Sequence, residues 1–237
     1  VSLTDEGSIF IQDAKNILGI TMRAKKRFER PFDDEVRVFS IGCHSYTQLF
    51  LLPDILRSLT ALHPNLHPRL QVVPFQHLYR LLEEEDVDVV IGFQESDLKK
   101  IPGIYKEIQK IPVFCVCSNE NPLSCQSSVH IEDLKEQSLI LNDPAKTIAK
   151  LQGQLMDGRS PSQFYFSDSI EAAMVLAKAG LGISLLPDLF PKPDDGLTFL
   201  PIKDVAPLSF GLYYKTLKSN PILKDFIQIV RSQMLSE

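Results

Sequence analysis

The chain has 237 residues, 44% hydrophobic and 23% charged, which places it among ordinary globular proteins with room for one large domain or two small ones. Its net charge of -5 means that phosphate is repelled on balance, so the chain by itself is a poor nucleic-acid binder. No run of 18 apolar residues occurs, and Asp5, Glu6 and Asp13 argue against a secretory signal, so neither a membrane span nor a leader is expected.

In chain order, the first element is a long helix. Thr4 is suited to its N-cap, with Asp5 and Glu6 in the first turn, where carboxylates favour the positive end of the helix dipole. Phe10, Ala14, Ile17, Thr21, Ala24 and Phe28 follow a 4-3-4-3-4 spacing, a heptad seam that needs a partner. Lys25, Lys26, Arg27 and Arg30 load the far end, and Pro31 stops the helix. Residues 1–31 therefore read as a dimerisation helix, the alternative being a helix packed on its own domain.

Beyond a short linker the pattern becomes strands alternating with helices. Val36 to Gly42 reads as a strand, Thr47 to Leu62 as a helix, Leu70 to Phe75 as a strand, Leu78 to Leu82 as a short helix and Val87 to Phe93 as a strand. Ile104 to Cys117 is extended, and Pro112 inside it marks a kink or crossover, because proline cannot donate to a central ladder. A second series follows. Its strands are Leu139 to Leu141, Phe164 to Phe166, Ile183 to Leu186, Leu197 to Ile202 and Leu208 to Tyr214. Its helices run from an Asp143-Pro144 cap to about Met156, from Ser169 to Ala179, and from Pro221 to Met234. Such alternation predicts largely parallel sheets covered on both faces. The last strand and helix are expected to return to the first lobe.

Cys115 and Cys117 are two apart in an apolar run, on one face of a strand. With Cys43 and Cys125 they read as small apolar residues in a reducing cytosol, the alternative being a redox role. His63 and His67 are four apart, but Pro64 and Pro68 break the helical face a zinc site would need. Glu83, Glu84, Glu85 and Asp86 read as a solvated helix end, and no metal or cofactor is expected.

Four segments in order resemble the LysR-type bacterial transcription regulators. Leu3-Thr4-Asp5-Glu6-Gly7 resembles the segment joining their winged helix-turn-helix to a linker helix, and Ile41-Gly42 with Pro53 resembles the start of their regulatory domain. Val87-Asp88-Val89-Val90-Ile91-Gly92 is similar to their apolar strand with an internal Asp, and Ala179-Gly180-Leu181-Gly182-Ile183 with Leu186-Pro187 to a later glycine-rich turn. The resemblance implies an α/β fold of two β/α lobes with a double crossover, like type II periplasmic binding proteins, preceded by the linker helix. Lobe I would comprise residues 35–112 and 207–237, lobe II residues 113–206. It further implies a cytoplasmic homodimer or homotetramer, a small-molecule effector between the lobes, and DNA contacts through an N-terminal domain expected before Val1. No catalysis is expected. The alternatives are a solute-binding protein or a small enzyme on the same fold.

In open α/β folds ligands sit beyond the carboxyl ends of strands, at helix N-termini. Those positions hold His44, Ser45, Tyr46 and Thr47 after the first strand and Phe93, then Gln94, after the third. In the second lobe they hold Asn142 and Asp143, then Ser167, Asp168 and Ser169. Ser45, Thr47, Asp143 and Asp168 also suit helix caps. His44 suits anion recognition or titration near neutral pH. Tyr46 departs from the small hydroxyl residue of the family pattern, which implies a smaller pocket or a ring stacked on the effector. Two carboxylates in the cleft would oppose a dianion and suit a small polar molecule bearing an amine or several hydroxyls.

Overall fold

The structure is a computed structural model that describes residues 4, 6–7, 10–11, 14, 17–19, 21, 36–94, 103–142, 148–189, 196–218 and 220–234. The chain divides into two compact units, residues 1–37 and 38–237.

In the first unit, the described residues 6, 7, 10, 11, 14, 17–19 and 21 are helical and form α1. Its start is capped as expected, with the Gly7 N–H donating to Thr4 Oγ1 at 3.1 Å. Of the seam, Phe10 is 72% and Ile17 63% exposed, Thr21 is exposed and Ala14 half-buried. Ala24 and Phe28 lie outside the described residues.

The second unit carries two five-stranded sheets. The first contains β1 (Arg37–Cys43), β2 (Leu66–Val72), β3 (Val89–Phe93), β4 (Ile104–Ile111) and β10 (Leu208–Tyr214), in the order β2-β1-β3-β10-β4. The second contains β5 (Val113–Ser118), β6 (Leu139–Leu141), β7 (Phe164–Phe166), β8 (Ile183–Pro187) and β9 (Leu197–Pro201), in the order β7-β6-β8-β5-β9. Pro112 alone separates β4 from β5, so the expected crossover falls on it. The chain leaves the first sheet there and re-enters it as β10.

Neither sheet is largely parallel. β1 pairs in parallel with β3, and β6 with β7 and β8, but β10 runs antiparallel to β3 and β4, and β5 antiparallel to β8 and β9. The reason is the double crossover. A parallel neighbour needs a covering helix in its connection, whereas β5 and β10 enter straight from the opposite lobe.

The helices are α2 (Tyr46–Leu49), α3 (Pro53–Leu62), α4 (Phe75–Glu83), α5 (Ala149–Met156), α6 (Ile170–Lys178) and α7 (Pro221–Met234). The helix expected from Thr47 to Leu62 is therefore broken in two. Pro53 lacks an N–H to continue the first piece and opens the second at its first turn. The strand expected at Leu70 to Phe75 starts earlier, at Leu66, and Phe75 already belongs to α4. β2 accommodates Pro68 because it is an edge strand. The cap expected at Asp143-Pro144 lies outside the described residues.

Alternation along the strands divides each core between two faces. In β10, Phe210, Leu212 and Tyr214 join Phe39, Leu59 and Phe226 under α3 and α7, while Tyr213 faces Leu78 and Leu82 of α4. In β5, Val113, Cys115 and Cys117 share one core, and Phe114 and Val116 pack toward Ala173 and Ala177 of α6. Burial raises both the Cys115 and Cys117 thiols, which keeps them protonated and apolar in character.

Three polar contacts tie the first lobe together. The Ser40 N–H donates to Asp88 Oδ2 at 2.8 Å, and the Asp88 N–H to the Ser40 carbonyl at 2.9 Å, so the Asp of the apolar strand motif pins the start of β3 to β1. His63 Nε2 lies 2.8 Å from Asp225 Oδ2, joining the end of α3 to α7. The acidic run is more than a solvated end: Glu85 takes φ +61° as the helix-terminating residue and is held by Lys215 Nζ at 2.9 Å.

Candidate functional site

β1 ends on a fully buried run, and the chain then turns into α2 through His44 and Ser45. Ser45 is the N-cap: its Oγ accepts from the Thr47 N–H at 3.2 Å. The same oxygen donates to Glu171 Oε1 at 3.1 Å, on the first turn of α6 in the other lobe. Ser45 Oγ and Thr47 Oγ1 are 2.5 Å apart. Ser45 has one hydroxyl proton, so when it goes to Glu171 the Thr47 hydroxyl is the donor in that short contact. A chain of Thr47, Ser45 and Glu171 thus crosses from one lobe to the other.

His44 belongs to the same group. Burial pushes its imidazole down to about 4, against the opposing pull of the Glu171 carboxylate, so the ring is neutral at physiological pH. The His44 N–H donates to Gln48 Oε1 at 3.3 Å. Gln48 is buried, and its Nε2 has no hydrogen-bond partner among the described residues. The neighbouring Cys43 thiol donates to the Ser45 carbonyl, and burial raises it to about 11.

In the second lobe, Asn142 follows β6, is buried, and likewise has an Nδ2 without a partner among the described residues. Buried amide donors of this kind are uncommon, and each has a hydrogen to offer to an acceptor from outside the protein fold. The Ser167 N–H donates to the Leu141 carbonyl at 3.0 Å, Asp168 is exposed, and Ser169 caps α6 through the Ala172 N–H at 3.1 Å. Asp143 lies outside the described residues.

The sequence-derived set therefore separates. His44, Ser45 and Thr47 meet at one point facing Glu171. Asn142, Ser167 and Asp168 stand at the ends of β6 and β7, next to the capped start of α6. Tyr46 is 65% exposed. The Phe93 ring is buried in the first core, 5.1 Å from the Phe210 ring, and its carbonyl accepts from Tyr213 Oη at 2.9 Å. Glu171 was missed in the sequence because an acid two residues after an N-cap serine reads as a partner for the helix dipole. Among the described residues no cluster of His, Cys, Asp or Glu has the makings of a metal site, and no helix is long and apolar enough to cross a membrane.

Two α/β lobes joined by paired crossover strands, with polar side chains at the strand ends between them, define a bilobal ligand-binding domain. Residues 33–235 match the family described as the LysR substrate binding domain, and the chain belongs to that family. It is 26% identical over 191 residues to the HTH-type transcriptional regulator CfxR of Cupriavidus necator, covering 78% of this chain and 58% of CfxR. It is 24% identical over 245 residues to the Hca operon transcriptional activator HcaR of Escherichia coli, covering 100% of this chain and 81% of HcaR. Among solved structures, full-length BenM superposes with a TM-score of 0.73 at 21% identity, over 98% of this chain and 78% of BenM. The chain thus carries the effector-sensing region of a LysR-type regulator, and its relatives are regulators of transcription rather than enzymes.

Proposed function

We propose that a small polar effector binds between the lobes, against His44, Ser45 and Thr47 on one side and Asn142, Ser167 and Glu171 on the other, and controls transcription by shifting their closure. The hydrogen bond from Ser45 to Glu171 is the observation that carries this reading, because it joins polar groups of opposite lobes at the end of β1. An effector that offers its own donor to Glu171 and its own acceptor to the hydroxyls replaces that contact. It biases the lobes only by the difference in its affinity for the open and closed arrangements. The lobes are taken as 35–112 with 207–237, and 113–206. The protein works in the cytoplasm on DNA, through a DNA-binding domain of the kind named in its relatives.

A calorimetric and thermal-shift screen with small carboxylates, amino acids and sugars tests the cleft. Thr47→Val is expected to weaken the ligand found roughly tenfold, about 1.4 kcal/mol, with little change in melting temperature beyond the loss of the Thr47–Ser45 contact. It is a cleaner probe than Ser45→Ala, which also removes a helix cap worth about 1 kcal/mol. Equal losses of folding and binding in Thr47→Val would remove the assignment.

The exposed Phe10 and Ile17 support α1 as a dimerisation helix. Burying such a seam in a partner stabilises each large apolar side chain by about 1.5–3 kcal/mol, and a charge there opposes it. Ile17→Asp is expected to lower the dimer or tetramer mass in light scattering. An unchanged mass takes the helix out of the interface.

A further inference from the structure

A second concave site lies outside the cleft, between α7 and the edge strand β4. It has a volume of about 560 Å³ and is lined by Lys106, Leu217, Lys224, Ile227, Gln228 and Arg231, among others. Lys224, Ile227, Gln228 and Arg231 are spaced i, i+3, i+4, i+7, which sets them along one face of α7. Lys106 pairs across the ladder with Leu212, whose side chain is in the core beneath α7, so Lys106 stands on the α7 side of the sheet.

The charge of this wall runs against the composition. The chain has 30 acids against 25 lysines and arginines, yet among the described residues the wall holds three cations and no carboxylate. The acids beside them in sequence are turned elsewhere. Asp225, next to Lys224, is engaged by His63 at 2.8 Å, and Glu107, next to Lys106, accepts from the Ser209 hydroxyl. Leu217 and the buried Ile227 supply an apolar surface between the cations. The volume is within the range of roughly 300–1,000 Å³ usual for small-molecule sites.

We propose that this groove is a second ligand site, selective for an organic anion with an apolar body, such as an aliphatic carboxylate. The cations draw the anionic head and the apolar surface takes the tail. Lys106 lies on β4 and Leu217 just beyond β10, at the ends of this strand pair remote from the crossovers.

Hexanoate, hexylamine and inorganic phosphate, titrated separately into the isotopically labelled chain at low salt, separate the contributions. Hexanoate is expected to shift the amide signals of Lys224 to Ser232 saturably. Hexylamine and phosphate are expected to bind at least tenfold more weakly, since each lacks one half of the recognition. The double variant Lys224→Gln/Arg231→Gln, exposed at both positions, is expected to fold as the parent does and to lose at least tenfold in hexanoate affinity. Lys106→Gln is expected to lose severalfold. Thr47→Val, altered in the cleft, is expected to leave the α7 titration in place. Hexylamine binding α7 as well as hexanoate does, hexanoate shifts confined to the cleft, or full affinity in both lysine and arginine variants would each overturn the proposal.

Discussion

Replacing Phe226 by alanine is expected to lower the free energy of unfolding by about 3–5 kcal/mol, the range for deleting a fully buried aromatic side chain. Phe226 is completely buried, and its ring lies 5.3 Å from that of Phe39. The two come from opposite ends of the second unit, Phe39 from β1 and Phe226 from α7. The cavity left behind cannot close by a local shift, because β10, α3 and β1 all bound it. Set against a usual total of about 5–15 kcal/mol, the loss is a large share of the stability. Urea unfolding should show a lower midpoint with the slope retained, and the exposed neighbour Lys224→Gln should stay within about 0.5 kcal/mol of the parent. A loss below about 1 kcal/mol in Phe226→Ala would mean that α7 does not close the first core.

Acidification is expected to show His44 directly. The free imidazole titrates near 6.5, and burial brings it to about 4 in the folded chain. Between those values the unfolded chain binds a proton that the native chain does not. His44 therefore contributes its full stabilisation above pH 6.5 and loses it as the pH falls toward 4, below which nothing more is lost. The slope reaches about 1.4 kcal/mol per pH unit and the total about 3 kcal/mol. Carboxylates titrate over part of this range, so the quantity to measure is the difference between the parent and His44→Gln. That difference should grow steadily from pH 6.5 to pH 4. An imidazole resonance titrating with a midpoint near 6.5 would show the ring solvated and remove it from the buried polar group.

The fold was legible wherever burial wrote itself as periodicity. β3 is buried throughout and reads as an unbroken apolar run. β5 is buried throughout, β1 and β8 over most of their length, and all three are apolar but for a serine in each and Arg37 at the start of β1. α7 shows its stripe of Leu223, Phe226, Ile227 and Val230 in the sequence itself. The misses came where local chemistry overrides pattern. Leu49, Leu52 and Ile55 continue one helical stripe, yet Pro53 divides it. Leu66 and His67 stand in a strand that edge position, not composition, permits. The direction of β5 and β10 is a property of topology, and no residue announces it. The site was half legible. Ser45 and Thr47 follow from the rule that strand ends carry ligand groups, and His44 with them. Glu171 did not follow, because its partner is 126 positions away and a first-turn acid has a sufficient local reason to exist. Phe93 sits at a strand end as expected, but an aromatic ring there finds more contact in the core than in the cleft.

The return of β10 and α7 to the first sheet has a consequence for synthesis on the ribosome. The amino-terminal strands emerge first, yet the hydrophobic surface of β3 and β4 stays uncovered until residues 208–234 have been translated. The second lobe is contiguous in sequence, so it has all of its strands while the first is still waiting. The first sheet therefore cannot close before the strands of the second lobe have all been made, and its β3 edge waits for β10 in the meantime.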